Sequence, residues 1–148
     1  MTKKPSNATG AGYSGTPLLK KLGIKPGMNG AFLSLPEDAP IELSTFDEWG
    51  EIQFASDVST IPTERDFIHL FEKNLDQFLA ILPEVKLRLK SNGMIWVSWP
   101  KKASKVPSTM NEDLIRKSAI ENGLVDIKVC AVDTVWSGLK LVIPVKYR

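Results

Sequence analysis

Hydrophobic positions along this chain fall into short blocks whose spacing switches between the two-residue period of strands and the three-to-four-residue period of helices. The first block, Thr16-Pro-Leu-Leu-Lys-Lys-Leu22, predicts a short helix with Thr16 as N-cap, Pro17 in the first turn and Gly23 just past its end. After Pro26-Gly27, the run Gly30-Ala-Phe-Leu-Ser-Leu35 predicts a strand that Pro36 stops. Ile52 and Phe54 alternate with polar neighbours over 51–56, and Phe67-Ile-His-Leu-Phe71 is the dense run of a strand covered on both faces. Leu75, Phe78, Leu79 and Leu82 make one helical stripe, with Pro83 kinking the helix or opening a second piece that carries Val85, Leu87 and Leu89. Ser91-Asn-Gly93 predicts a turn before a strand over 94–99, and Thr109 and Glu112 have the spacing of a capping box for a helix ending near Gly123. Val125, Ile127, Val129 and Ala131 are expected on the inner face of the next strand, opposite Asp126, Lys128 and Cys130. Residues 139–145 then form a last strand paired with it as a hairpin.

This order predicts a Rossmann-like α/β fold, a mostly parallel sheet with helices packed on it and a C-terminal antiparallel hairpin whose antiparallel strand closes the edge. Residues 1–15, small, polar and glycine-rich, read as a flexible tail, and 16–148 as one domain. A chain of 148 residues, 43% of them hydrophobic, is long enough for one such core. The lone Cys130 excludes an intramolecular disulfide, and no apolar run approaches the ~18 residues of a membrane span, so a cytoplasmic protein without a membrane partner is expected. Nineteen basic against seventeen acidic residues, a formal charge of +2, argue against a dedicated nucleic-acid binder.

Two resemblances follow from particular residues. From the Phe67 strand through the 75–89 helix, the Lys90-Ser-Asn-Gly93 turn, the Met94 strand and the final hairpin, the layout is similar to the second half of class I S-adenosylmethionine-dependent methyltransferases. The resemblance implies that fold and, through it, methyl transfer. That family's first motif, an acidic residue followed by a glycine-rich turn, has no counterpart after Leu35, where Pro36-Glu-Asp-Ala-Pro40 stands. Over nearly its whole length the chain also resembles an uncharacterised bacterial family, through Gly12-Tyr-Ser-Gly-Thr-Pro17, Trp96-Val-Ser-Trp-Pro-Lys101, Val129-Cys-Ala-Val-Asp133 and Trp136-Ser-Gly-Leu-Lys140. That resemblance implies no activity.

Open α/β sheets bind ligands at the carboxyl ends of their strands. Trp99, Lys101 and Lys102 follow the 94–99 strand, and Ser56, Asp57, Glu72, Asp133, Trp136 and Ser137 are expected along the same edge. Indoles beside lysines suit a planar ligand with a negative charge, and Asp133 suits a hydroxyl or amine. Ser14, Gly15 and Thr16 open the first helix and supply amides for an anion if that segment folds over the sheet. Gly10 to Gly15 matches G-x-G-x-x-G, but no strand precedes it, so a tail leading into a capped helix is the better reading. His69, the only histidine, lies in an apolar strand and is expected as a buried, hydrogen-bonded imidazole. The lysine- and hydroxyl-rich 101–109 stretch has the composition of a lid.

No catalytic set, metal set or cofactor emerges from these residues. The leading expectation is a small non-catalytic protein that binds a small anionic ligand or a protein partner. The alternatives are a divergent S-adenosylmethionine-dependent methyltransferase or nucleotide-processing enzyme, and an interaction adaptor anchored by an exposed Trp49 or Trp136.

Overall fold

In a computed structural model describing residues 16–148, the Thr16 hydroxyl accepts the Leu19 amide and Gly23 takes a left-handed φ of 81°, so α1 (Pro17–Leu22) starts and stops where its residues predict. The strands are β1 (Asn29–Leu33), β2 (Glu51–Ala55), β3 (Arg65–Phe71), β4 (Leu89–Pro100), β5 (Val125–Ala131) and β6 (Trp136–Val142). The helices that follow α1 are α2 (Ile41–Thr45), α3 (Leu75–Leu87) and α4 (Glu112–Glu121). The six strands form one sheet in the order β2-β1-β3-β4-β6-β5. Strands β2, β1, β3 and β4 are mutually parallel, while β6 runs antiparallel to both β4 and β5. The hairpin is thus as expected, but its antiparallel strand sits one place inside the edge, and β5 is the edge strand.

Alternate residues of each strand feed two cores. Ala31, Leu33, Ile68, Leu70, Ile95, Val97, Leu139 and Leu141 pack under Phe78, Leu82 and Val85 of α3 and Ile115 and Ala119 of α4. Phe32, Phe67, Phe71, Trp96 and Trp136 face the other way, under Leu18, Leu19 and Leu22 of α1 and Leu43 of α2. The Trp96 indole donates to the Leu22 carbonyl at 2.8 Å and locks α1 onto this second face.

Four local readings are corrected. Pro83 lies on the exposed side of α3, where water can satisfy the carbonyl it leaves free, so the helix runs through it without a second start. Residues 91–93 lie within β4, whose pairing with β3 jumps from Arg65↔Leu89 to Phe67↔Met94 and so accommodates extra residues as a bulge. The cap of α4 is Asn111, which accepts the Leu114 amide, while Thr109 accepts the Leu75 amide at the start of α3. A second bulge, between Asp126 and Lys128, inverts the parity of β5. Cys130 is therefore buried and Ile127 and Val129 are exposed, the opposite of the alternation expected from sequence.

Candidate functional site

Strand β1 connects to β2 on one side, and β3 begins on its other side, so the chain reverses direction across the sheet between β1 and β3. The carboxyl ends of these two strands border a cleft of about 410 Å³. Its lining includes Ser34 and Asp38 after β1, Phe71, Glu72 and Lys73 after β3, Gln77 of α3, Val106 and Trp136. Strand ends at such a reversal are where open α/β sheets hold ligands.

Ring packing builds the floor. Trp136 meets Phe71 edge-on with ring centres 5.2 Å apart, and Phe71 stacks on His69 at 4.3 Å. Nε2 of His69 lies 2.7 Å from the Ser98 hydroxyl, and its Nδ1 is buried without a hydrogen-bond partner among the described residues. Burial alone pushes this imidazole down to about 3, so it is neutral and serves as part of the floor. The expected buried, bonded histidine is what the structure contains.

The rim is fixed by short hydrogen bonds. Oε2 of Glu72 accepts the amides of Lys73 and Asn74, both at 3.0 Å, and Asn74 caps α3 by accepting the Gln77 amide. The 101–111 stretch is stapled to this turn. Ser108 Oγ and the Thr109 amide both donate to the Lys73 carbonyl, and the Leu75 amide donates to Thr109 Oγ1 at 2.7 Å. The far end of the stretch is held by the Lys101 amide on the Val135 carbonyl. Oδ1 of Asp133 accepts the amides of Val135 and Trp136, which sets where the Trp136 ring stands.

The candidate residues from sequence therefore separate. Trp136 reaches the cleft. Trp99 and Lys102 line a neighbouring cavity of about 420 Å³ with Lys105, Ser108, Met110 and Asn111, and Val106 borders both spaces. Lys101 and Asp133 hold backbone, and Ser137 sits opposite Trp99 in the β4–β6 ladder. Thr16 caps α1 beside Glu42, Thr45 and Asp47, while Ser14, Gly15 and the Gly10–Gly15 pattern lie outside the described residues. Glu72 was expected at this edge. Ser34, Asp38, Phe71 and Gln77 were not, because only the strand order reveals that the ends of β1 and β3 are neighbours.

Neither indole proposed as an adaptor anchor is exposed. Trp136 is buried, and Trp49 is half-buried against Phe32, Phe46 and Phe67. Among the described residues no group of three or more His, Cys, Asp or Glu side chains is placed to hold a metal ion, and no helix is long and apolar enough to cross a membrane.

No family model matches the chain, and no curated protein matches it. Solved structures do resemble it. Magnesium protoporphyrin IX methyltransferase (ChlM) from Synechocystis PCC 6803 with bound SAH superposes with a TM-score of 0.58 at 13% identity, over 85% of this chain and 78% of that one. The ribosomal protein L11 methylase from Lactobacillus delbrueckii subsp. bulgaricus gives 0.55 at 12% identity, over 86% and 75%. A candidate type 11 methyltransferase from Sulfolobus solfataricus gives 0.56 at 18% identity, over 85% and 89%. At these identities the likeness establishes the Rossmann-like, methyltransferase-type fold and nothing finer.

Proposed function

We propose that this chain is a divergent S-adenosylmethionine-dependent methyltransferase that holds the nucleoside of its methyl donor in the cleft between β1 and β3. The observation that carries this reading is the chemistry of the cleft lining at that point of the fold. Its walls combine the aromatic rings of Phe71 and Trp136 with the carboxyl groups of Asp38 and Glu72. Carboxylates accept from ribose hydroxyls and an α-amino group, and aromatic faces favour a sulfonium cation.

The backbone around the cleft disfavours phosphates, and so the nucleotide-processing alternative, although Lys73 is on the lining. The β1–β2 connection carries Pro36 and Pro40, which have no amide to offer, and α2 is only five residues long. At the start of α3 the Leu75 and Gln77 amides are already taken by Thr109 and Asn74, and Asp76 adds a negative charge. A ligand with a cationic centre and hydroxyls fits what remains.

S-adenosylmethionine, when bound, supplies an electrophilic methyl group on sulfur. The residues of this chain would do the rest. Phe71 and Trp136 form the floor, Glu72 and Asp38 bind polar groups at the rim, and the adjoining cavity over Trp99 and Met110 receives the acceptor beside Lys102 and Lys105. With His69 neutral and buried, proton removal from the acceptor falls to a rim carboxylate or to solvent.

Calorimetric titration tests this. S-adenosylmethionine and S-adenosylhomocysteine are expected to bind, ATP and NAD to bind far more weakly, and Glu72→Gln and Asp38→Asn each to weaken the adenosyl ligands by about tenfold, the loss of one charge-assisted hydrogen bond. Absence of binding by both adenosyl compounds, or preference for ATP, overturns the reading. A non-catalytic ligand-binding or regulatory protein on the same fold is the second reading, favoured by the proline-bearing link after β1. Binding of both adenosyl compounds without methyl transfer to any acceptor would select it.

A further inference from the structure

On the sheet face covered by α1, away from the cleft, a group of lysines gathers with no acidic partner among the described residues. Lys128 of β5 and Lys140 of β6 are direct cross-strand partners, a pairing of like charges that ordinarily destabilises a sheet. Lys140 Nζ stands 3.9 Å from where a Cβ on Gly23 would lie, and Lys25 follows two residues later in the turn after α1. Lys20 and Lys21 occupy the last turn of α1 at the same place. None of these side chains forms an ion pair with a carboxylate among the described residues.

Lysines near a helix carboxyl end often serve its free carbonyls, and here that accounts for one of them. Lys128 Nζ donates to the Lys21 carbonyl at 2.9 Å. The other carbonyls of that end are already occupied. The Leu19 carbonyl accepts the amides of Gly23 and Ile24, that of Lys20 the amide of Gly23, and that of Leu22 the Trp96 indole. Among the described residues Lys25 and Lys140 are left with no acceptor, and Lys140 is partly buried. Its pKa is lowered by that burial first and then by the charges of Lys128 and Lys25. An arrangement that opposes itself in the free protein is relieved by a counter-charge.

We infer that Lys25, Lys128 and Lys140 form a binding site for the phosphate group of a small molecule. Three compact ammonium groups suit a compact dianion, and they lack the planar fork that arginine offers a carboxylate. The site shares no residue with the cleft, so it stands or falls apart from the methyl-donor reading.

The test uses inorganic phosphate and pyrophosphate as probes, with chloride at matched ionic strength as reference. Lysine side-chain methylene signals of residues 25, 128 and 140 are followed by NMR, and thermal stability is measured in parallel. Saturable shifts confined to those lysines are expected, with the affinity falling at least ~5-fold in Lys25→Gln and in Lys140→Gln, as for loss of one charged contact. Lys117→Gln, on the exposed side of α4, leaves it unchanged. In chloride the Lys140→Gln protein should be at least as stable as the parent, and in phosphate less stable. A merely structural lysine would not reverse that order. Non-saturable shifts, parental affinity in both variants, or a Lys25→Gln protein with an undiminished phosphate response overturn the proposal. Lys25 lies in an exposed turn, so this last outcome does not depend on a core side chain.

Discussion

The buried imidazole of His69 makes the stability of the protein depend on pH in a way that can be calculated. Its neighbours are Phe32, Phe67, Phe71, Trp96 and the Ser98 hydroxyl, none of them charged. Burial lowers its pKa from 6.5 to about 3. Because the folded value lies below the unfolded one, the unfolded chain binds the proton more readily throughout that window. The stabilising contribution is complete above the unfolded pKa and is lost progressively as pH falls through 6.5 toward the folded value. Between about pH 7 and about pH 5 the loss is ~2 kcal/mol, and it hardly depends on the folded pKa provided that this stays well below 5. For a domain of this size ~2 kcal/mol corresponds to roughly 6–10 °C in Tm. Urea unfolding at the two pH values, in the parent and in His69→Gln, separates this contribution from that of the carboxylates. The parent is expected to lose ~2 kcal/mol more than the variant. Equal losses, or an imidazole NMR signal that titrates near its ordinary pKa in the folded protein, would refute the reasoning.

Other perturbations follow from single contacts. Asp133→Ala removes the acceptor of two turn amides and should cost about 1–2 kcal/mol in urea unfolding, with Asp133→Asn recovering part of it. Gly30→Ala places a Cβ 2.5 Å from Cζ3 of Trp49 and should cost ~1–3 kcal/mol and shift tryptophan fluorescence; an unchanged spectrum and stability would contradict the packing. Cys130, buried in the face under α1, should react with an aromatic disulfide reagent far more slowly in the folded protein than in urea, whereas comparable rates would place it at the surface.

What was legible in the sequence is what local chemistry controls. The hydroxyl, proline and glycine of 16–23 specify α1 almost atom by atom, and the dense apolar run of β3 declared a strand covered on both faces. The failures have a common cause in tertiary pairing. The expected inner face of β5 is inverted because one bulge shifts parity, and a bulge leaves no signature in Asp126-Ile-Lys128 that alternation can detect. Thr109 has the spacing of a cap for its own helix but serves the amino end of α3, a contact across 34 residues. The cleft was half legible for the same reason. Glu72 and Trp136 follow from strand ends and turns, whereas Ser34 and Asp38 acquire meaning only once β1 and β3 are adjacent.

The two proposed sites differ in sign, and that difference has a thermodynamic consequence. The cleft presents the carboxylates of Asp38 and Glu72 beside a single lysine, Lys73, and the Leu75 and Gln77 amides of α3 are taken by Thr109 and Asn74, while the group beyond α1 presents lysines. The two sites therefore favour different ligands, and they share no residue, so each can be followed separately in a binding assay. Trp96 nonetheless links them physically. Its indole holds the Leu22 carbonyl of α1, its strand partner is Lys140, and its ring lies 6.5 Å from His69 beneath the cleft floor. If these contacts are rigid, stabilisation by S-adenosylhomocysteine and by phosphate should add within about 0.5 kcal/mol, as for independent sites. A larger departure would mean that filling one site moves α1 against the sheet, and Trp96→Phe, which removes the indole donor and keeps an aromatic ring, should then restore additivity.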